Sequence, residues 1–155
     1  MVMAATYEVE RTTSIDAPPA EVFKHLSDYH EWGAWSPWDD MDPSMAKSYT
    51  GESGQVGAGY HWTGNRKVGE GRMTTTGIDE PNRLDIKLEF IKPFKSESET
   101  TFLVEPRDEG STVTWRMNGN HTWMSRIMGI FKSMDSLVGP DFEKGLAKLK
   151  RVCEA

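Results

Sequence analysis

HTWMSRIMGIFKSMDSLVGPDFEKGLAKLKRVCEA, running from His121 to Ala155, is the stretch on which the fold turns. Within it Ile127, Ile130, Phe131, Met134, Val138, Phe142, Leu146, Leu149 and Cys153 recur at steps of one, three or four. That spacing draws one apolar face along a helix. Lys132, Glu143, Lys144, Lys148, Lys150 and Arg151 fill the other faces. Gly139-Pro140 interrupts the stripe. A proline inside a helix loses one hydrogen bond and crowds the preceding turn. The helix is therefore expected to kink or restart there, with Pro140 near a first turn and Met124 to Ser133 as a separate helical segment. Asp141 and Glu143 suit an N-terminal turn, and Lys148, Lys150 and Arg151 a C-terminal end. Such a stripe needs an apolar surface to cover it.

The chain upstream supplies that surface as strands. Tyr7 to Ile15 alternates, with Tyr7, Val9, Arg11, Thr13 and Ile15 on one side, although Arg11 breaks the apolar face. Asp16-Ala17-Pro18-Pro19 stops it and starts a short helix that buries Val22, Phe23 and Leu26. Ser27-Asp28 can cap a second helical turn, Tyr29 to Trp32. Strands follow at Met45–Gly51, Tyr60–Asn65, Gly69–Ile78, Leu84–Phe90, Ser98–Glu105 and Ser111–Asn118. They are separated by turn formers such as Asp79-Glu80-Pro81-Asn82. Leu84, Ile86, Leu88 and Phe90, alternating with Asp85, Lys87 and Glu89, form the clearest half-buried strand. The class is α+β: a curved antiparallel sheet of about seven strands around a long C-terminal helix, with two short helices after the first strand.

At 155 residues the chain is read as one domain, 1–155. A net charge of -6, with both signs interspersed, excludes the concentrated basic face that nucleic acid requires. It also excludes a polybasic membrane patch. No apolar run approaches the length of a membrane span, and Met1 to Ala5 lacks the basic and apolar parts of a signal peptide. One cysteine, Cys153, forms no internal disulfide, which fits a reducing cytoplasm. Nine Met and six Trp suit either a well-filled core or the walls of an adaptable apolar cavity.

The Trp32-Gly-Ala-Trp35-Ser-Pro-Trp38 segment carries Gly33 and Pro37, with Pro43 shortly after. It is expected to be irregular. Three Trp in seven residues are costly in solvent, so the loop folds back on the domain. It either plugs the core or rims a pocket mouth.

Several local motifs occur in order along the chain: Ile15-Asp16-Ala17-Pro18 before Val22-Phe23, and Trp35-Ser36-Pro37-Trp38 with Asp42-Pro43. Gly57-Ala58-Gly59-Tyr60-His61-Trp62, Gly69-Glu70-Gly71-Arg72-Met73, and Phe142-Glu143-Lys144-Gly145-Leu146 with Leu149-Lys150 follow. With this order of elements the chain resembles the START-like (SRPBCC) superfamily, in its bacterial polyketide cyclase/dehydrase-like branch. The resemblance covers nearly the whole chain. It implies a helix-grip fold, a deep apolar cavity between sheet and long helix, and binding or transport of hydrophobic molecules such as lipids, sterols or polyketides. Some relatives are aromatase/cyclases. The branch brings no fixed catalytic motif to carry onto these positions.

Candidate chemistry is sparse. His25, His30, His61 and His121 are dispersed and lack zinc-site spacing, so no metal is expected. His25 is placed on a solvated helix face, and His61 alternates away from Tyr60 and Trp62. Asp39, Asp40 and Asp42 lack the glycine and distal Glu of a calcium loop and read as a solvated, capping acidic run. No Gly-x-Ser-x-Gly elbow occurs. Cys153, on the apolar stripe, is an inert thiol. The glycines of Gly54–Gly59 and Gly69–Gly71 are hairpin bends rather than phosphate cradles. Ring closure or dehydration would need acid–base groups inside the cavity. The weak candidates are Tyr60, Glu70 and His121, with Arg72 and Arg116 facing outward.

The resulting expectation is binding of a small hydrophobic ligand, without a cofactor, in a cytoplasmic monomer or homodimer. Walls come from Tyr60, Trp62, Met73, Leu88, Phe90, Phe102, Trp115 and Met117. The lid is Met134, Val138, Phe142 and Leu146, and Trp35 and Trp38 stand at the mouth. A polyketide cyclase or dehydratase is the enzyme alternative. A protein-interaction domain with a filled core is the other.

Overall fold

The computed structural model describes residues 6–92, 95–120 and 134–155. Seven strands form one antiparallel sheet: β1 Thr6–Ile15, β2 Ala46–Thr50, β3 Gly59–Thr63, β4 Glu70–Asp79, β5 Arg83–Lys92, β6 Ser96–Arg107 and β7 Gly110–Asn120. Their spatial order is β1-β7-β6-β5-β4-β3-β2. Among the described residues only the β1–β7 pairing joins strands distant in sequence, with Val9 opposite Met117. Consecutive strands otherwise pair as hairpins, which sets Phe102 opposite Trp115 between β6 and β7. Register shifts at Glu70/Gly71 and Thr75/Gly77 interrupt the β4–β5 ladder. Such bulges bend and twist a strand, which helps a sheet become concave.

Helix α1, Pro19–Ser27, buries Val22, Phe23 and Leu26, as their spacing requires. A 3-10 helix, Tyr29–Ala34, follows, with the Asp28 side chain accepting from the His30 amide. Then comes α2, Pro37–Met41. The Trp-rich segment is thus more regular than its Gly and Pro content predicts. Pro37 occupies the first turn of α2, where its missing N–H leaves no bond unmade. Two indoles hold this segment to α1. Trp32 Nε1 donates to the Leu26 carbonyl at 2.8 Å and Trp35 Nε1 to that of His25 at 2.9 Å. Carbonyls in the last turn of a helix lack intrahelical partners, so these bonds satisfy otherwise open groups. The same folding-back covers His25, whose side chain is only 17% exposed and lies 3.9 Å from Glu31. The expectation of a solvated His25 is corrected by that cover.

The acidic run is not simply solvated. Asp39 pairs with Lys47, Asp40 with Lys148 at 2.8 Å, and Asp42 accepts from the backbone amides of Ser44 and Asn65. One short helix is thereby tied to β2, to the C-terminal helix and to the β3–β4 turn.

The C-terminal helix, α3, spans Met134–Glu154 without interruption, with Pro140 inside it. The expected restart at Gly139-Pro140 does not occur. Proline removes one bond early in the helix, but Phe142, Leu146 and Leu149 beyond it are buried to 2% exposure or less. Burial of such a stripe contributes more to a helix than one hydrogen bond. The helix lies along β1. Lys150 Nζ donates to the Ser14 carbonyl at 2.9 Å, the Asp16 amide to Glu154 at 2.8 Å, and Arg11 Nε to Glu143 at 3.1 Å. Arg11 therefore leaves the apolar face of β1 by reaching to the helix. Its guanidinium fills the space beside Gly139 that a Cβ would need. The expected segment Met124–Ser133 lies outside the described residues.

Candidate functional site

Between the concave sheet face and α3 lies a cavity of about 390 Å³. Alternation along each strand decides which side chains reach it. Tyr60 and Trp62 come from β3, Met73 from β4, Leu88 and Phe90 from β5, and Trp115 and Met117 from β7. Val138 and Phe142 of α3 close it from above, and Trp38 and Met41 of α2 from the side. Aromatic rings dominate the wall. Phe142 stacks on Trp115 with centroids 4.0 Å apart and planes at 5°. Trp38 meets Phe142 edge-on at 6.4 Å, and Trp62 meets Phe90 edge-on at 5.9 Å. Trp62 is fixed by its own indole N–H, which donates to the Val68 carbonyl at 2.9 Å.

Three residues expected in the site lie elsewhere. Trp35 and Phe102 are fully buried, and neither reaches the cavity. They pack at 5.6 and 5.1 Å from the Trp115 ring, whose own surface faces the cavity. Leu146, further along α3, belongs to the same solid core. Three Trp close in sequence thus divide their roles: Trp32 and Trp38 line the cavity, whereas Trp35 fills core. Met134 opens α3, but its side chain lies outside the described residues, as does His121.

Other wall residues escaped the sequence reading. Ser96 and Thr100 share the parity of Phe102 on β6, and Tyr7 shares that of Val9 on β1, so their facing was legible. Trp32, Ser36, Asp39, Met45, Lys67 and Val68 come from irregular or short segments, where no period marks the inward side. Asp141 flanks Phe142 on α3 and also borders the cavity.

The titratable groups Asp39, Tyr60, Lys67 and Asp141 border the cavity, and Asp39 lies near enough to Tyr60 to act on its phenol. Glu70 binds His61 Nε2 at 2.7 Å, and neither residue lines the cavity. Arg72 pairs with Glu89 at 3.6 Å and Arg116 with Glu10 at 2.7 Å. Asp39 is held by Lys47. Burial, reinforced by Asp39 and Tyr49, raises the Tyr60 phenol well above its ordinary value, so it stays protonated. Burial also pushes the Cys153 thiol up to about 11, which leaves little thiolate at neutral pH. No group of three His, Cys, Asp or Glu able to hold a metal occurs among the described residues.

Asp141 is the exception in character. Burial raises its carboxyl above the usual range, with Lys144 acting in the opposite direction. A raised carboxyl binds its proton more tightly folded than unfolded. Its ionisation therefore weighs against folding as pH climbs through the folded value. Asp141→Asn is expected to stabilise the protein at pH 7, with the gain over wild type fading below about pH 3.9, the ordinary carboxyl value. Thermal unfolding of both proteins against pH checks this. A difference that does not change with pH would refute it.

A sheet gripping a C-terminal helix, with an apolar cavity between them, defines the helix-grip class. The chain belongs to the polyketide cyclase / dehydrase and lipid transport family, which it matches over residues 6–154. It is a START-like (SRPBCC) domain. Among curated proteins no sequence matches this chain. Solved structures share the fold at low identity. A Chromobacterium violaceum protein is 12% identical with a TM-score of 0.70, covering 96% of this chain and 97% of that one. A Thalictrum flavum norcoclaurine synthase point mutant, in complex with a transition-state analogue, is 13% identical with a TM-score of 0.69, covering 99% and 97%. A Panax ginseng major latex-like protein is 15% identical with a TM-score of 0.66, covering 97% and 99%.

Proposed function

We propose that the whole chain acts as one domain that binds a small hydrophobic molecule, such as a lipid or a polyketide, for transport or sequestration. The observation that carries this reading is the 390 Å³ cavity walled by Trp, Phe and Met. That size falls within the usual range of small-molecule sites, which are apolar with a few placed polar groups. A filled core, as an interaction domain would have, does not accord with it. The cyclase or dehydratase alternative needs paired acid–base groups, and of the titratable groups bordering the cavity Asp39 is tied to Lys47 and Tyr60 stays protonated. The family description, which includes lipid transport, supports the same reading. The single cysteine supports a reducing cytoplasm as the place where it acts. No helix among the described residues is long and apolar enough to cross a membrane.

Native mass spectrometry of the gently purified protein is expected to show a bound apolar molecule, and apolar fluorophores are expected to bind at one site. Absence of both results refutes the reading.

A further inference from the structure

Among the described residues seven hydroxyl side chains are buried: Ser36, Thr75, Ser98, Thr100, Thr101, Ser111 and Thr114. Four of them have partners. Thr75 bonds the Tyr29 hydroxyl at 2.7 Å, and Thr101 donates to Asp85 at 2.9 Å. Ser111 donates to the Ala17 carbonyl at 2.7 Å, and Thr114 bonds Thr12 at 3.2 Å. None of these four lines the cavity.

The remaining three behave differently. Ser98 Oγ is buried beside the Tyr7 hydroxyl, which it stabilises in the ionised direction, and lies outside the cavity wall. Thr100 and Ser36 line the cavity, and neither side chain bonds another described group. Ser96, Ser98 and Thr100 alternate along one face of β6, and Ser96 also lines the cavity. Buried hydroxyls are as a rule hydrogen-bonded, and one left open costs free energy. Here the two that bond no described group, Thr100 and Ser36, both face the cavity.

We propose that Ser96 and Thr100 on β6 form a polar subsite, and that the ligand is an apolar molecule carrying one uncharged oxygen function, a hydroxyl or carbonyl, directed at Thr100. A hydroxyl can both donate to and accept from such a group. A charged head would enter this face without an ion partner, which burial penalises. The inference rests on the binding reading above and adds the ligand's chemical class.

The test uses naphthalene, 1-naphthol and 1-naphthoate, with affinities from tryptophan quenching. Wild type is expected to bind 1-naphthol about tenfold more tightly than naphthalene, the ratio for roughly one hydrogen bond's worth of free energy. In the Ser96→Ala/Thr100→Val variant the ratio should fall below about threefold, because Val keeps the shape of Thr without its hydroxyl. Ser48→Ala, at an exposed position of β2 outside the cavity wall, should leave it near tenfold. Equal affinities for naphthol and naphthalene in wild type overturn the inference and leave the cavity reading standing. A ratio that survives in the β6 variant, or collapses in Ser48→Ala alone, overturns it too. So does 1-naphthoate binding more tightly than 1-naphthol. Binding of none of the three overturns the cavity reading itself, and this inference with it. Circular dichroism and unfolding midpoints confirm that each variant is folded.

Discussion

Phe142→Ala is expected to cost about 3 kcal/mol of stability, the lower end for truncating a buried phenylalanine. The ring is 1% exposed and lies flat on Trp115, with Trp38 at its edge. Stacked and edge-on partners add to the loss of buried area. One side of Phe142 already borders the cavity, so fewer contacts are lost than in a solid core, which is why the lower end applies. The void left behind joins the existing cavity, and α3 loses the contact that holds its early turns to the sheet. Apolar probes should bind more weakly for the same reason. Lys144→Ala, two residues on at an exposed position, should change stability by no more than about 0.5 kcal/mol. Guanidinium chloride denaturation of the three proteins checks the pair. A loss below about 1 kcal/mol for Phe142→Ala would show that this ring does not hold the helix.

Gly71→Val should be the most damaging substitution of a glycine at the cavity. A Cβ at Gly71 would occupy the place of the Trp62 indole and lie 2.8 Å from the Glu89 carbonyl. The backbone cannot yield readily, because Gly71 pairs with Phe90 beside a bulge in β4. The indole must therefore leave the sheet, break its bond to Val68 and turn into the cavity. Overpacking of this kind costs about 1–3 kcal/mol, and here it also fills the space where a ligand would sit. Gly71→Ala should show the same two effects in smaller measure. Unfolding midpoints and fluorophore titration measure them separately. Stability and binding both at wild-type level in Gly71→Val would mean that Trp62 has another resting place.

The two substitutions differ in how far the sequence foretold them. Phe142 sits on the stripe, and its inward facing follows from steps of three and four. Gly71 reads from sequence only as a bend. Nothing local tells that a distant indole lies across it, since β3 meets β4 only when the sheet forms. The same limit explains Trp35 and Trp38. Both are large and apolar, and the sequence reading places both at the pocket mouth. Which one packs behind Trp115 and which one faces empty space depends on the angle of a five-residue helix. Pro140 errs the other way. Local propensity argued for a break, and packing of Phe142, Leu146 and Leu149 along the sheet outweighed it.

Periodicity by itself determined the strands, the order of elements and the long helix, because the backbone repeats of two and 3.6 residues sort apolar side chains whatever their partners. It also determined most of the cavity's strand-borne walls, since alternation assigns a face. Tertiary structure alone decided that the sheet and α3 stand apart rather than close-packed, leaving a cavity of 390 Å³. It alone decided which buried hydroxyls found partners and which were left facing that space. Periodicity reports which side of an element is apolar. Distance between two apolar sides is set by the sizes and angles of everything packed at their edges, and that sum exists only in the folded chain.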